Sequence, residues 1–533
     1  MSATWWRGAA IYQVYLRSFA DGNGDGIGDL AGLRARLPYL SDLGVDAIWL
    51  NPWYPSPMAD GGYDVADYRD IEPAFGTLAE AEKFIEEAHA LGIRTIIDIV
   101  PNHGSDQQDW FIQALAAGPG SAERGRFWFS PGRGEHGELP PNDWQSIFGG
   151  PAWTRVADGE WYLHLFAPEQ PDFNWTNPEV VEEFHGVLRF WFDRGVDGIR
   201  IDSAAVLLKD FDSAEESYTD HDGVHDIYRA WRQVAEEYGQ RILIGEVWLP
   251  DHERFALYLR PDEMHTAFNF DFLSCSWDAA ALRRSIDTTL ATHAPVGAPP
   301  TWVLSNHDVP RPVTRYGREI TSFDHGERRD GAPSDLVLGE RRARAAALLA
   351  MALPGGVYVY QGEELGLPEV DDIPGELRQD PIWTRSGHTV PGRDGCRVPL
   401  PWSGDERPFG FGTGEPWLPQ PAAWKKLTAE AQTGDPASML SLYRSALRVR
   451  REELGDGTLN WLDTEDGVLA FTRESGLTCV VNLSPEPVRL PPRGEVLLAS
   501  GPLTGERLPA DTAVWLRAEP ERPAFAPSGE TPA

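Results

Sequence analysis

Cysteine is scarce in this chain. Three residues, Cys275, Cys396 and Cys479, are spread over 533 positions. The number is odd, and neither a CxxC pair nor a Cys/His ligand spacing occurs, which excludes a disulfide framework and a cysteine-based metal site. Basic charge is outweighed as well: 47 Lys and Arg stand against 82 Asp and Glu, a formal net charge of −35. Such a chain offers no basic face to nucleic-acid phosphates or to an anionic membrane surface, and the charge reads as a solvated surface that favours solubility. Long apolar runs are missing too. The longest, Ala345 to Leu353, stops at Pro354 and is too short to span a bilayer. The opening Met-Ser-Ala-Thr-Trp-Trp-Arg has no basic segment leading into an apolar one, so no signal peptide is expected and the chain reads as soluble and cytoplasmic.

What is present is a large apolar fraction with a clear period. Hydrophobic residues make up 41% and aromatics 11%, enough for one large domain with a smaller one beside it. Short apolar runs that read as buried strands are Ala10–Tyr15, Ala47–Asn51, Arg94–Val100, Gly198–Asp202, Ile242–Val247, Ala267–Phe272, Thr301–Ser305 and Gly356–Tyr360. Helical patterns lie between them, at Leu30–Leu43, Leu78–Leu91, Pro178–Arg194, Val224–Tyr238, Trp277–Ala291 and Leu338–Leu353. Eight such alternations predict a (β/α)₈ barrel, an α/β fold whose active sites lie at the C-terminal strand ends. No Gly-rich phosphate loop supports the alternative, a doubly wound open sheet. About seventy residues after the third strand are too many for a bare connection, so residues 104–174 are expected to form an inserted subdomain. The barrel is then residues 1–103 and 175–456. Short alternating strands over 457–518 predict an antiparallel β-sandwich, and the polar tail 519–533 is expected to be disordered.

Three of the strands end on a carboxylate: Asp202 in GIRID, Glu246 in GE and Asp308 in SNHD. Buried together they would repel one another and lose solvation, which packing alone does not explain. A reaction that builds positive charge between them does, and glycoside hydrolysis is such a reaction. Arg200 shares a strand face with Asp202 and is expected to hold it ionised, as a nucleophile requires. The apolar surroundings of Glu246 are expected to raise its pKa, as a general acid requires. Taken singly, each carboxylate reads as a buried ion pair or a helix cap.

With these motifs in order, the chain resembles the alpha-amylase family, glycoside hydrolase family 13, in its alpha-glucosidase and oligo-1,6-glucosidase branch. The four family motifs appear as Asp98-Ile-Val-Pro-Asn-His103, Gly198-Ile-Arg-Ile-Asp202, Gly245-Glu246 and Ser305-Asn-His-Asp308. The resemblance implies a nucleophile at Asp202, an acid/base at Glu246 and a transition-state stabiliser at Asp308, with His103, Arg200 and His307 lining the site of the cleaved sugar. Gln170-Pro-Asp-Phe-Asn174 resembles the branch signature QPDLN. Gly62-Tyr63-Asp64 resembles the segment whose Tyr stacks on the sugar and whose Asp holds its non-reducing end. Arg397, in a diverged copy of ARTPMQW, is the expected partner of Asp64. Phe148, Trp153 and Phe166 are expected on the leaving-group side.

The loop Asp21-Gly-Asn-Gly-Asp-Gly-Ile-Gly-Asp29 offers hard oxygen donors at alternate positions, suited to Ca²⁺. It reads equally well as a polar turn with Asp29 as helix cap. The resemblance favours the metal, a structural Ca²⁺ (Mg²⁺ possible) held by Asp21, Asn23, Asp25, the carbonyl of Ile27, and Asp29. No redox cofactor is implied. The expected function is a retaining, exo-acting alpha-glucosidase on small oligosaccharides or disaccharides. The alternative is a transglucosidase or a sucrose- or maltose-isomerising enzyme using the same residues. In relatives of the branch, Val after the nucleophile goes with α-1,6 cleavage and a smaller residue with α-1,4. Ser203 stands there, and strand alternation predicts that it points away from Asp202.

Overall fold

The structure, a computed structural model, describes residues 4–211, 218–455, 457–491 and 494–518; the tail expected to be disordered lies outside them. Eight parallel strands form one sheet: β1 (Ala10–Val14), β2 (Ala47–Leu50), β3 (Arg94–Ile99), β4 (Gly198–Ile201), β5 (Ile242–Gly245), β6 (Thr266–Ala267), β7 (Thr301–Val303) and β8 (Gly356–Tyr360). They run in the spatial order β7-β8-β1-β2-β3-β4-β5-β6. The Thr301 hydroxyl on β7 donates to the Ala267 carbonyl on β6 at 2.6 Å and closes the seam. Side chains of alternate residues, among them Ile11, Trp49, Ile96, Ile244, Phe268 and Tyr358, fill the interior.

The helices begin where side chains cap them. Thr77 and Glu80 make a capping box for Leu78–Ala90, and Asn177 caps Pro178–Asp193. Two expectations need correction. The helix expected over 30–43 is two, Leu30–Ala35 and Leu37–Leu43, because Pro38 supplies no N–H to continue a helix but suits the first turn of a new one. The sixth strand stops at Ala267 instead of running to Phe272. Asn269 accepts the Phe272 N–H and starts a short helix, Phe270–Ser274, so its amide diverts the backbone from the ladder.

Between β3 and β4 lie a helix, Asp109–Ala117, and a three-stranded antiparallel sheet of Phe129–Pro131, Trp153–Arg155 and Glu160–Leu163. The C-terminal residues form a five-stranded antiparallel sheet with a two-stranded ribbon, Val488–Arg489 and Arg507–Leu508. Its edge strand Leu459–Trp461 has too few alternating apolar residues to be foreseen. One face packs Val480, Val514 and Leu516 against the ribbon's Val488 and Leu508. The other meets the barrel helix Leu336–Ala352, where the Trp515 indole donates to the Leu348 carbonyl. Among the described residues no helix is long and apolar enough to cross a membrane.

Candidate active site

Asp202 and Glu246 sit one residue beyond β4 and β5, and their N–H groups still bond the neighbouring strands, to Ile99 and Ile201 at 2.9 Å. The short residue before Glu246 is required: a Cβ on Gly245 would lie 2.4 Å from the Met264 sulfur. The Arg200 guanidinium joins three carboxylates, with Nη1 2.7 Å from both Asp98 and Asp202 and Nη2 2.8 Å from Glu246. One cation divided among three buried anions cannot hold them all ionised. Burial therefore prevails, raising Asp202 to about 6 and Glu246 and Asp98 to about 7. This agrees with the expectation for Glu246 and corrects that for Asp202, which Arg200 restrains but does not bring below its ordinary range. Asp308 shows the opposite balance. Burial opposes its charge, but His307, Arg393, Arg397 and Arg200 overcome it and hold the carboxyl well below the usual carboxylate range.

These groups open into a cavity of about 360 Å³ that Asp202, Glu246, Asp308, Tyr63, His103 and His307 all line. Tyr63 stacks on His307, with centroids 5.3 Å apart, and its hydroxyl donates to Asp98 at 3.0 Å. Burial keeps His103 neutral, down to about 3. Phe166 packs on its ring at 4.8 Å, and Phe148 packs on Phe166.

The expected pair of Asp64 and Arg397 is absent from the cavity lining. Asp64 is fully buried away from it and accepts the N–H groups of Ala59 and Asp60, so its role is to shape the loop. Asp60 lines the cavity instead. Its Oδ1 meets Arg393 at 2.5 Å and its Oδ2 accepts Gln170 at 3.2 Å. Arg393 also pairs with Asp380 at 2.6 Å and Asp308 at 3.2 Å, clamping three loops together. Arg397 pairs with Asp308 at 2.9 Å and donates to the His307 carbonyl; it has no bond to Asp64. Each displaced residue lies four positions from its replacement: Asp60 before Asp64 and Arg393 before Arg397. The signal was a second residue of the same type nearby. Trp153 also leaves the leaving-group side, being buried with Trp144 and Leu163. Trp248, which in sequence is only part of the apolar setting of Glu246, also lines the cavity, as do His325 and Arg328, which carry no signal in the sequence.

Ser203 lies beyond the strand, in a left-handed backbone conformation with φ 47°. Strand alternation therefore does not reach it. Its hydroxyl turns back toward Asp202, its N–H donates to Glu246 at 2.9 Å, and it lines the cavity.

The acidic loop lies far along the chain from these groups and is stitched to the segment 411–417. Asp21 N–H donates to Phe411, and Trp417 N–H to Gly26. Asp21 accepts amides of Asn23, Gly24 and Gly26, and Asp29 accepts those of Gly22 and Gly32 as a helix cap. Burial and the neighbouring Asp21 push Asp29 upward. Two buried, adjacent carboxylates suit a hard cation in donor chemistry. Acidic, His and Cys side chains by themselves form no three-membered cage among the described residues, so the Asn23 amide and the Ile27 carbonyl would have to complete one.

Comparison with known proteins adds to the geometry. The family model for the alpha-amylase catalytic domain matches residues 13–457, and that for a domain of unknown function (DUF3459) matches residues 457–515. A probable alpha-glucosidase of Rhizobium meliloti (strain 1021) is 36% identical over 524 residues, 90% of each chain. An oligo-1,6-glucosidase of Parageobacillus thermoglucosidasius is 33% identical over 541 residues, 91% of each chain. A solved alpha-glucosyl transfer enzyme superposes with a TM-score of 0.85 at 35% identity, covering 96% of this chain and 99% of that one.

Proposed function

Because this chain belongs to the alpha-amylase family of glycoside hydrolases, we propose that it is a retaining, exo-acting alpha-glucosidase. The observation that carries this reading is the sharing of one guanidinium by Asp202 and Glu246. Two carboxyl groups held by the two ends of one fork suit the close spacing of a retaining enzyme, about 5–5.5 Å, better than the about 6.5–9.5 Å of an inverting one. In the first step an Asp202 oxygen attacks the anomeric carbon while Glu246 gives its proton to the departing oxygen. A β-glucosyl ester of Asp202 results. In the second step Glu246, now a carboxylate, takes a proton from water as that water's oxygen displaces Asp202, and α-glucose leaves. The Asp60–Arg393 clamp supports exo action, because both residues line the cavity and a charged pair there suits the hydroxyls of a terminal sugar. The first step needs Asp202 ionised and Glu246 protonated. The rate is therefore expected to rise as pH passes about 6 and to fall beyond about 7. A pH profile of kcat/KM checks both limbs.

Ser203 supports a preference for α-1,4 over α-1,6 linkages. It leaves room at the mouth that a branched side chain would fill, a contact worth about 1–3 kcal/mol per apolar group. Wild type is expected to show the higher kcat/KM on maltose than on isomaltose. Ser203→Val is expected to narrow that ratio, at some cost in stability because a β-branched residue resists a positive φ. A wild-type preference for isomaltose would assign linkage choice to other residues. Transfer to a sugar hydroxyl in place of water is the second reading. The name of the solved transfer enzyme favours it, and product analysis at high maltose separates the two.

The loop residues Asp21, Asn23, Asp25, Ile27 and Asp29 would hold Ca²⁺ or Mg²⁺ as a structural ion. A chelator is expected to lower the melting temperature more than it lowers activity at about 25 °C. Melting indifferent to chelator and to added Ca²⁺ would leave the loop a plain turn.

A further inference from the structure

The carboxyl group of Glu246 has donors of unequal number on its two oxygens. Oε2 accepts the Ser203 N–H at 2.9 Å and stands 2.8 Å from Arg200 Nη2. Oε1 has one donor among the described residues, the indole N–H of Trp248 at 3.2 Å. An oxygen already taking an amide and a guanidinium hydrogen has no free direction for a proton of its own. The transferable proton therefore rides on Oε1, the oxygen that Trp248 touches. The indole is itself held firmly. Its ring lies on Phe270 with centroids 3.6 Å apart and planes within 9°, and His325 abuts it at 4.3 Å and 73°. Phe270 stands there because Asn269 turns the chain into a helix where a longer sixth strand was expected.

We propose that Trp248 is a positioning residue for the acid/base: its indole N–H aims Glu246 Oε1 at the leaving-group oxygen and stabilises the carboxylate that the second step requires. The proposal rests on the double-displacement reading above. Trp248 passes no proton; its N–H stays bonded while the Glu246 proton leaves and returns. A hydrogen bond to the charged form favours that form, so losing the indole donor makes Glu246 a weaker acid. The other charged and titratable groups facing Glu246 are Arg200 on β4 and Asp202 after it, Asp98 on β3 behind Arg200, and His307 and Asp308 after β7. His325, Arg328 and Arg393 face it from the later loops. Of these, His325 packs on the indole ring, a contact that the phenyl ring of Trp248→Phe keeps in kind, so a moved titration belongs to the lost N–H.

Trp248→Phe keeps an aromatic ring on Phe270 and removes the N–H. The alkaline limb of kcat/KM is expected to move up by about one pH unit, the size of a lost hydrogen bond to a charged group. Maltose is expected to lose more rate than 4-nitrophenyl α-glucoside, whose leaving group needs no proton. Phe270→Leu keeps the N–H but removes its backing, and is expected to shift the limb the same way by less. Carbon-13 NMR of the glutamate carboxyl groups reads the same titration without substrate, with the Glu246 signal identified by its loss in Glu246→Gln. A purely structural role for the ring would change KM or melting and leave that titration where it was. Titration unmoved in both variants overturns the proposal. A wild type inert toward every α-glucoside overturns the glucosidase reading instead, while the NMR titration still decides the role of Trp248.

Discussion

Asp202→Ala is expected to lower maltose turnover by at least about 10⁴-fold, because no other group can form the glycosyl ester. Glu246→Gln is expected to lower it by about 10²–10⁴-fold, the usual worth of a positioned acid. Neither change should unfold the protein. Asp98, Asp202 and Glu246 compete for Arg200 alone, so removing one anion relieves repulsion, and the melting temperature should hold or rise. Added azide distinguishes the roles. It should restore a β-glucosyl azide with Asp202→Ala, by direct displacement on the substrate, and an α-glucosyl azide with Glu246→Gln, by displacement of the ester. A variant of either residue that keeps near-wild-type turnover would remove it from the mechanism.

The second large effect is expected at the Asp60–Arg393 clamp. Arg393→Ala removes the cation shared by Asp60, Asp380 and Asp308. Asp60 and Asp380 would lose their paired cation while Asp308 keeps Arg397, which should cost stability of about 3–5 kcal/mol and lower kcat/KM by about 10³-fold. Arg393→Lys is not expected to rescue it, since one ammonium cannot reproduce a fork that reaches three partners. The milder pair Asp60→Asn and Asp64→Asn separates binding from loop structure. Asp60→Asn should lower kcat/KM by about 10²-fold or more through loss of charged hydrogen bonds to the terminal sugar. Asp64→Asn should act mainly on melting, because its carboxylate meets the N–H groups of Ala59 and Asp60 and the Ser56 side chain, all within its own loop. The reverse pattern would return the sugar contact to Asp64.

How far these residues were legible in the sequence depended on how locally their positions are fixed. Asp202 and Glu246 each follow a strand directly and Asp308 lies five residues beyond Val303, so barrel topology was enough to bring them to one cavity. The clamp was harder to foresee. Asp60 and Arg393 sit in long loops, where a shift of four residues leaves composition unchanged and only the three-dimensional path decides which carboxylate faces the sugar. The raised pKa of Asp202 was likewise invisible, because the sharing of Arg200 by three carboxylates is a tertiary fact. The sixth strand failed for a local reason: the side chain of Asn269 outcompeted the apolar pattern that follows it. Trp248 was read as part of the apolar setting of Glu246, and its N–H acquired meaning once Oε1 was found beside it.

The most direct test of the two-step mechanism is the anomeric proton NMR spectrum of maltose digests in the first minutes, before mutarotation mixes the products. The glucose newly released from the non-reducing end should appear first as the α-anomer, since two displacements at one carbon restore its configuration. Initial release of the β-anomer would mean a single displacement and would contradict the assignment of Asp202 as nucleophile.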